Sequence, residues 1–150
     1  MKLEVLLFGI CLTLSLTGCS ALKEGYRGVW GTSTKALENN RSSAIVRTFD
    51  SDYFSCYTKT LDILKRGCCH VYFKDIKKHI IAVYVSNQDT TTVGLFFSEI
   101  DQNNTKIEFS SLSTYGKEVI STKVSLGLEK LLHPEKFSAA ELKEPTVPLQ

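Results

Sequence analysis

The chain lacks a surplus of charge of either sign. Its 18 Lys and Arg stand against 16 Asp and Glu, a formal net charge of +2, and the two signs are interspersed. That excludes the basic stripe that holds nucleic acid and the polybasic patch that binds anionic lipid. No apolar run reaches the ~20 residues that a helix needs to cross a bilayer. A disulfide framework is missing too. Of the 5 cysteines, Cys11 falls in an N-terminal apolar stretch and Cys19 at its end, which leaves Cys56, Cys68 and Cys69, an odd remainder.

Catalytic motifs are equally scarce. There is no Gly-x-Ser-x-Gly elbow and no Cys-x-x-Cys-His haem attachment. Gly25, Gly28 and Gly31 recur at every third place, but no Lys-Ser/Thr follows at the offset a phosphate loop requires. His70, His79 and His133 fall at a turn, a strand start and a helix end, with no obvious pairing to a nucleophile. Asp50, Asp52 and Asp62 are accounted for by helix capping and a solvated helix face. No catalytic residue, cofactor or metal site is expected.

What is present begins at the N-terminus. After Met1-Lys2-Leu3-Glu4 comes an apolar run of about twelve residues, Val5 to Leu16, the length of a signal-peptide core. Leu16-Thr17-Gly18-Cys19 then resembles the bacterial lipobox. Small residues before the cysteine let an extended backbone enter a signal peptidase, and a thiol can be alkylated to a diacylglycerol thioether. Each buried methylene contributes ~0.8 kcal/mol, so two or more chains anchor firmly. The resemblance implies cleavage between Gly18 and Cys19, lipid on Cys19, and a membrane as the first partner. Ser20, rather than Asp, after the cysteine implies the outer membrane, facing the periplasm.

The mature part reads as one α+β domain. Residues 20–43 are polar and are expected to be a tether, with a short helix over Thr34–Arg41. Ala44–Phe49 is a candidate strand. Asp50 or Ser51 caps a helix whose stripe is Phe54, Tyr57, Leu61 and Leu64, closed by Lys65-Arg66 and Gly67 at C′. Cys69–Lys74, His79–Ser86, Thr91–Ile100 and Thr105–Leu112 are strand-like, with Val71 and Phe73 on one side of the first and His70 and Tyr72 on the other. Ser113 or Thr114 caps a second helix, Tyr115–Leu132, with a stripe of Ile120, Val124, Leu128 and Leu131. The expected fold is an antiparallel sheet of four to five strands with two amphipathic helices on one face. The divisions are 1–18 signal peptide, 19–43 lipidated cysteine and tether, 44–133 domain, and 134–150 loose tail.

Two places invite function. Cys68-Cys69-His70 is the one candidate metal or thiol cluster, although adjacent residues on a strand point to opposite faces. Ile80–Val85 is apolar at both parities, and Phe96 lies opposite Val93, Leu95 and Phe97. The sheet face away from the helices is therefore covered by the protein's own chain or open to a partner. Phe96, Tyr72 and Tyr84 form the candidate partner surface, for an envelope protein of unspecified identity. The leading expectation is a non-enzymatic binding or structural module. A metal- or thiol-dependent domain at Cys68, Cys69 and His70, or a carrier of small apolar ligands, are the alternatives.

The stretch from Val29-Trp30-Gly31 and Lys35-Ala36-Leu37-Glu38 to Ser110-Ser111-Leu112-Ser113-Thr114-Tyr115 is similar to a group of small uncharacterised bacterial lipoproteins. Asp89-Thr90-Thr91-Thr92-Val93-Gly94-Leu95-Phe96-Phe97 and Thr105-Lys106-Ile107-Glu108-Phe109-Ser110-Ser111 carry most of the likeness. It implies one domain running helix, antiparallel strands, helix. The element order also resembles the helix-grip domains of the C lipoprotein of the outer-membrane β-barrel assembly machine, and carries no residue roles across.

Overall fold

The computed structural model describes residues 34–139, 141 and 142. The leader, Gly18, Cys19, the three glycines around Trp30, and residues 143–150 lie outside the described residues. The elements run α1 (Thr34–Asn39), a 3-10 turn (Arg41–Ser43), β1 (Ile45–Phe49), α2 (Tyr53–Arg66), β2 (His70–Asp75), β3 (Ile80–Tyr84), β4 (Thr92–Asp101), β5 (Asn104–Ser110), α3 (Thr114–Leu132) and a second 3-10 turn (Pro134–Lys136). All strand pairings are antiparallel in a five-stranded sheet of order β1-β5-β4-β3-β2. Short polar turns join β2 through β5 as a meander. The long α2 connection carries the chain from β1 at one edge to β2 at the other.

Both long helices start where a side chain meets an orphan amide. Asp52 Oδ1 accepts from the Ser55 N–H at 2.9 Å, so the cap of α2 is Asp52 rather than Asp50 or Ser51. Ser113 Oγ does the same for Gly116 at the head of α3. The burial stripe of α2 differs from the expected one. Cys56, Tyr57, Thr60, Ile63 and Leu64 face inward, while Phe54 is 62% exposed and Leu61 half-buried. The α3 stripe holds for Ile120, Val124 and Leu128, and Leu131 stays exposed. The helices cross closely at Gly127, where an added Cβ would lie 2.8 to 2.9 Å from three Ile63 carbons.

The main core lies between these helices and one sheet face. Ile81, Val83, Val93, Leu95, Phe97, Ile107 and Phe109 meet Ile63, Leu64, Ile120, Val124 and Leu128 in one contiguous cluster. Each such side chain contributes about 1.5–3 kcal/mol by leaving water. This packed interface offers the small-ligand carrier reading no support.

The opposite sheet face is covered as well. Leu37 of α1 is fully buried against Ile80, Ala82 and Phe96. Gly94 permits the approach, because a Cβ there would stand 3.1 Å from Leu37 Cβ. Ser110 Oγ donates to the Leu37 carbonyl at 2.6 Å, and Asn40 Nδ2 donates to the Ser111 carbonyl. Arg41 lies 4.7 Å over the Phe96 ring and pairs with Glu108 at 2.6 Å, which also pairs with Lys106 at 2.8 Å. Residues 34–43 are thus part of the packed unit, not of a tether ending at 43. The cause is the second apolar parity of β3, which needs a cover of its own.

A bulge corrects the reading of β2. Val71 pairs with Val83 but Phe73 with Ala82, leaving Tyr72 as the extra residue. Phe73 therefore joins Tyr72 on the α1 side, and Val71 alone packs with the main core. At the other end, Lys130 Nζ donates to the Glu141 carbonyl at 2.7 Å, and Glu141 accepts from Ser138, which ties Ser138 and Glu141 to α3.

Candidate functional site

The Cys68–His70 corner is built by the end of α2. The Cys68 N–H donates to the Lys65 carbonyl at 3.4 Å and the Cys69 N–H to Leu64 at 3.0 Å. This is a Schellman stop, and its left-handed residue is Cys68 (φ 56°), not Gly67 (φ −79°). The three side chains diverge. Cys68 is exposed, Cys69 is buried with the main core, and His70 stacks on Tyr84 across the strand pair, 5.7 Å between rings. Lys123 Nζ stands 3.6 Å from Cys69 Sγ and donates to the Gly67 carbonyl at 2.9 Å.

Burial pushes the Cys69 thiol up, with Lys123 pulling the other way. Burial pushes Cys56 up to about 12. Thiols held there stay protonated at neutral pH, and the thiolate is the form that attacks or ligates. Among the described residues no group of three or more His, Cys, Asp or Glu is placed to hold a metal ion.

The other histidines sit at separate corners. His79 (φ 56°) lies in the turn before β3 and stacks on Tyr53 at 4.3 Å, at the far end of the β2–β3 hairpin from His70. His133 ends α3, with Nε2 3.9 Å from Asp50 Oδ2 and Nδ1 3.4 Å from Glu135 Oε1. None of the three is hydrogen-bonded to a described serine or cysteine.

The candidate partner surface is divided by α1. Phe96 is only 5% exposed under Leu37 and Arg41, so it presents no open face. Tyr72 and Tyr84 are half-buried and stacked, 4.5 Å between rings. Burial, and then the neighbouring Tyr84, push the Tyr72 phenol up to about 12.

Sequence reasoning missed a groove between α2 and the edge strand β2. It measures about 580 Å³ and is lined by Leu61, Asp62 and Lys65 from the helix and by residues 69–74 from the strand. Tyr53 OH donates to the Ile76 carbonyl at 2.6 Å and fixes the far end of helix and strand to each other. The available signal was Phe54 and Leu61, seven residues apart on one line along α2, read as core instead of rim. A smaller cleft of about 300 Å³ lies between the end of β1 and the last turn of α3, beside Asp50, Glu129 and His133.

Compared with known proteins, the chain matches no protein-family model and no curated protein.

Proposed function

We propose that this chain is a lipid-anchored protein of the bacterial envelope whose α+β domain is a non-enzymatic binding module. The observation that carries the reading is Leu16-Thr17-Gly18-Cys19 directly after an apolar run of signal-peptide length. Acylation of Cys19 would hold the domain at a membrane surface, and Ser20 favours the outer membrane on its periplasmic side. The arrangement of the domain supports a binding role. Its histidines stand at three separate corners, its buried thiols are held protonated, and an open groove runs along a sheet edge.

Intact mass measurement of the mature protein tests the anchor. The expected N-terminus is Cys19 carrying diacylglycerol and a further acyl chain, and Cys19→Ala should leave the protein unprocessed or release it from the membrane. An unmodified thiol on Cys19, or a retained leader, would sink the proposal.

A further inference from the structure

We propose that β1 pairs with β1 of a second copy of this chain, antiparallel about a two-fold axis at Val46, so that the two five-stranded sheets become one continuous sheet. Such pairing goes beyond the anchoring proposed above and does not depend on acylation of Cys19.

The strand order puts β1 at a sheet edge, with no described strand on its outer side. An edge strand offers a row of backbone donors and acceptors that another extended backbone can match. All of β1 keeps regular register with β5, from Ile45 opposite Phe109 to Phe49 opposite Thr105, so no bulge blunts this edge. Ile45 and Phe49 pack with the main core, which places Arg47 on the helix side and Val46 and Thr48 on the other. Val46 is 48% exposed, and Arg47 and Thr48 are exposed beside it.

The helix above that edge supplies complementary charge. α3 lies over β1 and runs the same way, since Lys117 Nζ donates to the Ser43 carbonyl at 2.8 Å ahead of the strand and Leu132 shares a cleft with Phe49 at its end. Gly127 of α3 meets Ile63 of α2, which lies over the β2 half of the sheet. Glu118 precedes Gly127 by about two and a half turns, so it stands on the opposite side of α3, toward the β1 edge. Arg47 and Glu118 are both exposed, and neither makes an ion pair among the described residues. One patch thus carries a free cation and a free anion. A two-fold interface needs such a self-complementary patch, because each copy meets the same surface of the other.

Charge also sets the register. Antiparallel partners share a sheet face, so the axis passes at a residue, and the central ones of β1 are Val46, Arg47 and Thr48. At Arg47 it would set two guanidinium groups opposite each other, and at Thr48 it would set Val46 against Asp50. At Val46 the two exposed valines meet. Arg47 then comes level with Ile45 of the partner subunit, beside the first half of that copy's α3, where Glu118 of the partner subunit lies.

The test uses the full mature chain in detergent micelles. Val46→Cys and Thr48→Cys are each placed in a Cys68→Ser background, which removes the exposed native thiol while Cys56 and Cys69 stay buried. After oxidation with glutathione disulfide, non-reducing electrophoresis reads the covalent dimer. Two residues on the axis stand about 4.5–5.5 Å apart between Cα atoms, within disulfide range, whereas the two copies of Thr48 lie about 13 Å apart along the strands. The Val46→Cys chain should therefore give at least about tenfold more dimer than the Thr48→Cys chain or the background alone. Sedimentation reads the charges. Arg47→Glu and Glu118→Arg should each weaken dimerisation about tenfold or more, and the two together should restore it to within about threefold of the parent. Both residues are exposed, and an unchanged circular dichroism melt verifies the fold.

Equal crosslinking of the Val46→Cys and Thr48→Cys chains overturns the proposal. So does a parent chain that stays monomeric at about 0.1 mM, or a double charge variant that associates no better than either single one. Association through the lipid alone would be indifferent to these charges and counts against it as well. The mass of the mature N-terminus is measured separately, so a monomeric chain leaves the lipid anchor standing.

Discussion

Leu37→Ala is the substitution that best tests whether α1 belongs to the folded unit. Leu37 is fully buried against Ile80, Ala82 and Phe96, and it is the only buried side chain of its six-residue helix. Large-to-small changes at buried leucines cost about 2–5 kcal/mol, depending on how far the site can collapse. A helix this short can shift toward the sheet, which places the expected cost near the lower end, about 2–3 kcal/mol. With a urea m value of about 2 kcal/mol/M, the unfolding midpoint should fall by about 1 M. Glu38→Ala on the exposed side of the same helix should stay within about 0.5 kcal/mol of the parent. Gly94→Ala supplies the complementary perturbation, since its Cβ would press on Leu37. Combined with Leu37→Ala, its penalty should shrink only in part, because Leu37 Cδ1 is removed while Leu37 Cβ and Phe96 Cε2 remain beside the new methyl. Equilibrium urea unfolding of the mature chain reads all four variants against the parent. A Leu37→Ala cost below about 0.5 kcal/mol would refute the reasoning and return residues 34–43 to the tether.

Four further outcomes follow from particular contacts. Gly127→Ala should destabilise despite a helix-propensity gain of about 1 kcal/mol, because its Cβ meets three carbons of Ile63 and overpacking costs about 1–3 kcal/mol. Urea unfolding of the Ile63→Ala double variant should show strong favourable coupling. Cys68→Gly should raise stability by about 1 kcal/mol, since a non-glycine residue occupies the left-handed position there. In thiol titration of the native protein Cys68 should react first and Cys56 only on unfolding, so rapid labelling of Cys56 would contradict its burial. Burial works to raise the Glu108 carboxyl, but Lys106 and Arg41 outweigh it and hold it below its usual 4.5. A depressed folded value means its contribution is present above that pH and is lost as pH falls through the lower folded one. Stability should therefore decline below about pH 4.5, and a Glu108→Gln melt series with the same slope there would count against this source.

The fold was legible where one local rule decided the outcome. Ser113 or Thr114 just before the apolar stripe marked the head of α3, and Ile120, Val124 and Leu128 gave its buried line. The meander could be read from polar turns between β-branched runs. Legibility failed where two rules competed. The bulge at Tyr72 depends on how β2 meets β3, so strict alternation misplaced Phe73. Periodicity counted Phe54 as core because it cannot tell a buried line from the rim beside it. The polar composition of residues 20–43 hid one decisive leucine, and the apolar parity of Ile80 and Ala82 was the better guide to what covers them. The groove was beyond a linear reading, because it exists only once α2 lies beside the sheet edge.

The double coverage of β3 also orders the motions of the molecule. Among the described residues its amides lie between two layers of very different strength, two long helices on one side and one six-residue helix on the other. Water therefore gains its first access to the strand from the weaker layer, through an excursion that leaves the helical side intact. Deuterium should enter α1 early and the centre of β3 late, and the gap between the two rates measures how much of the stability each layer supplies.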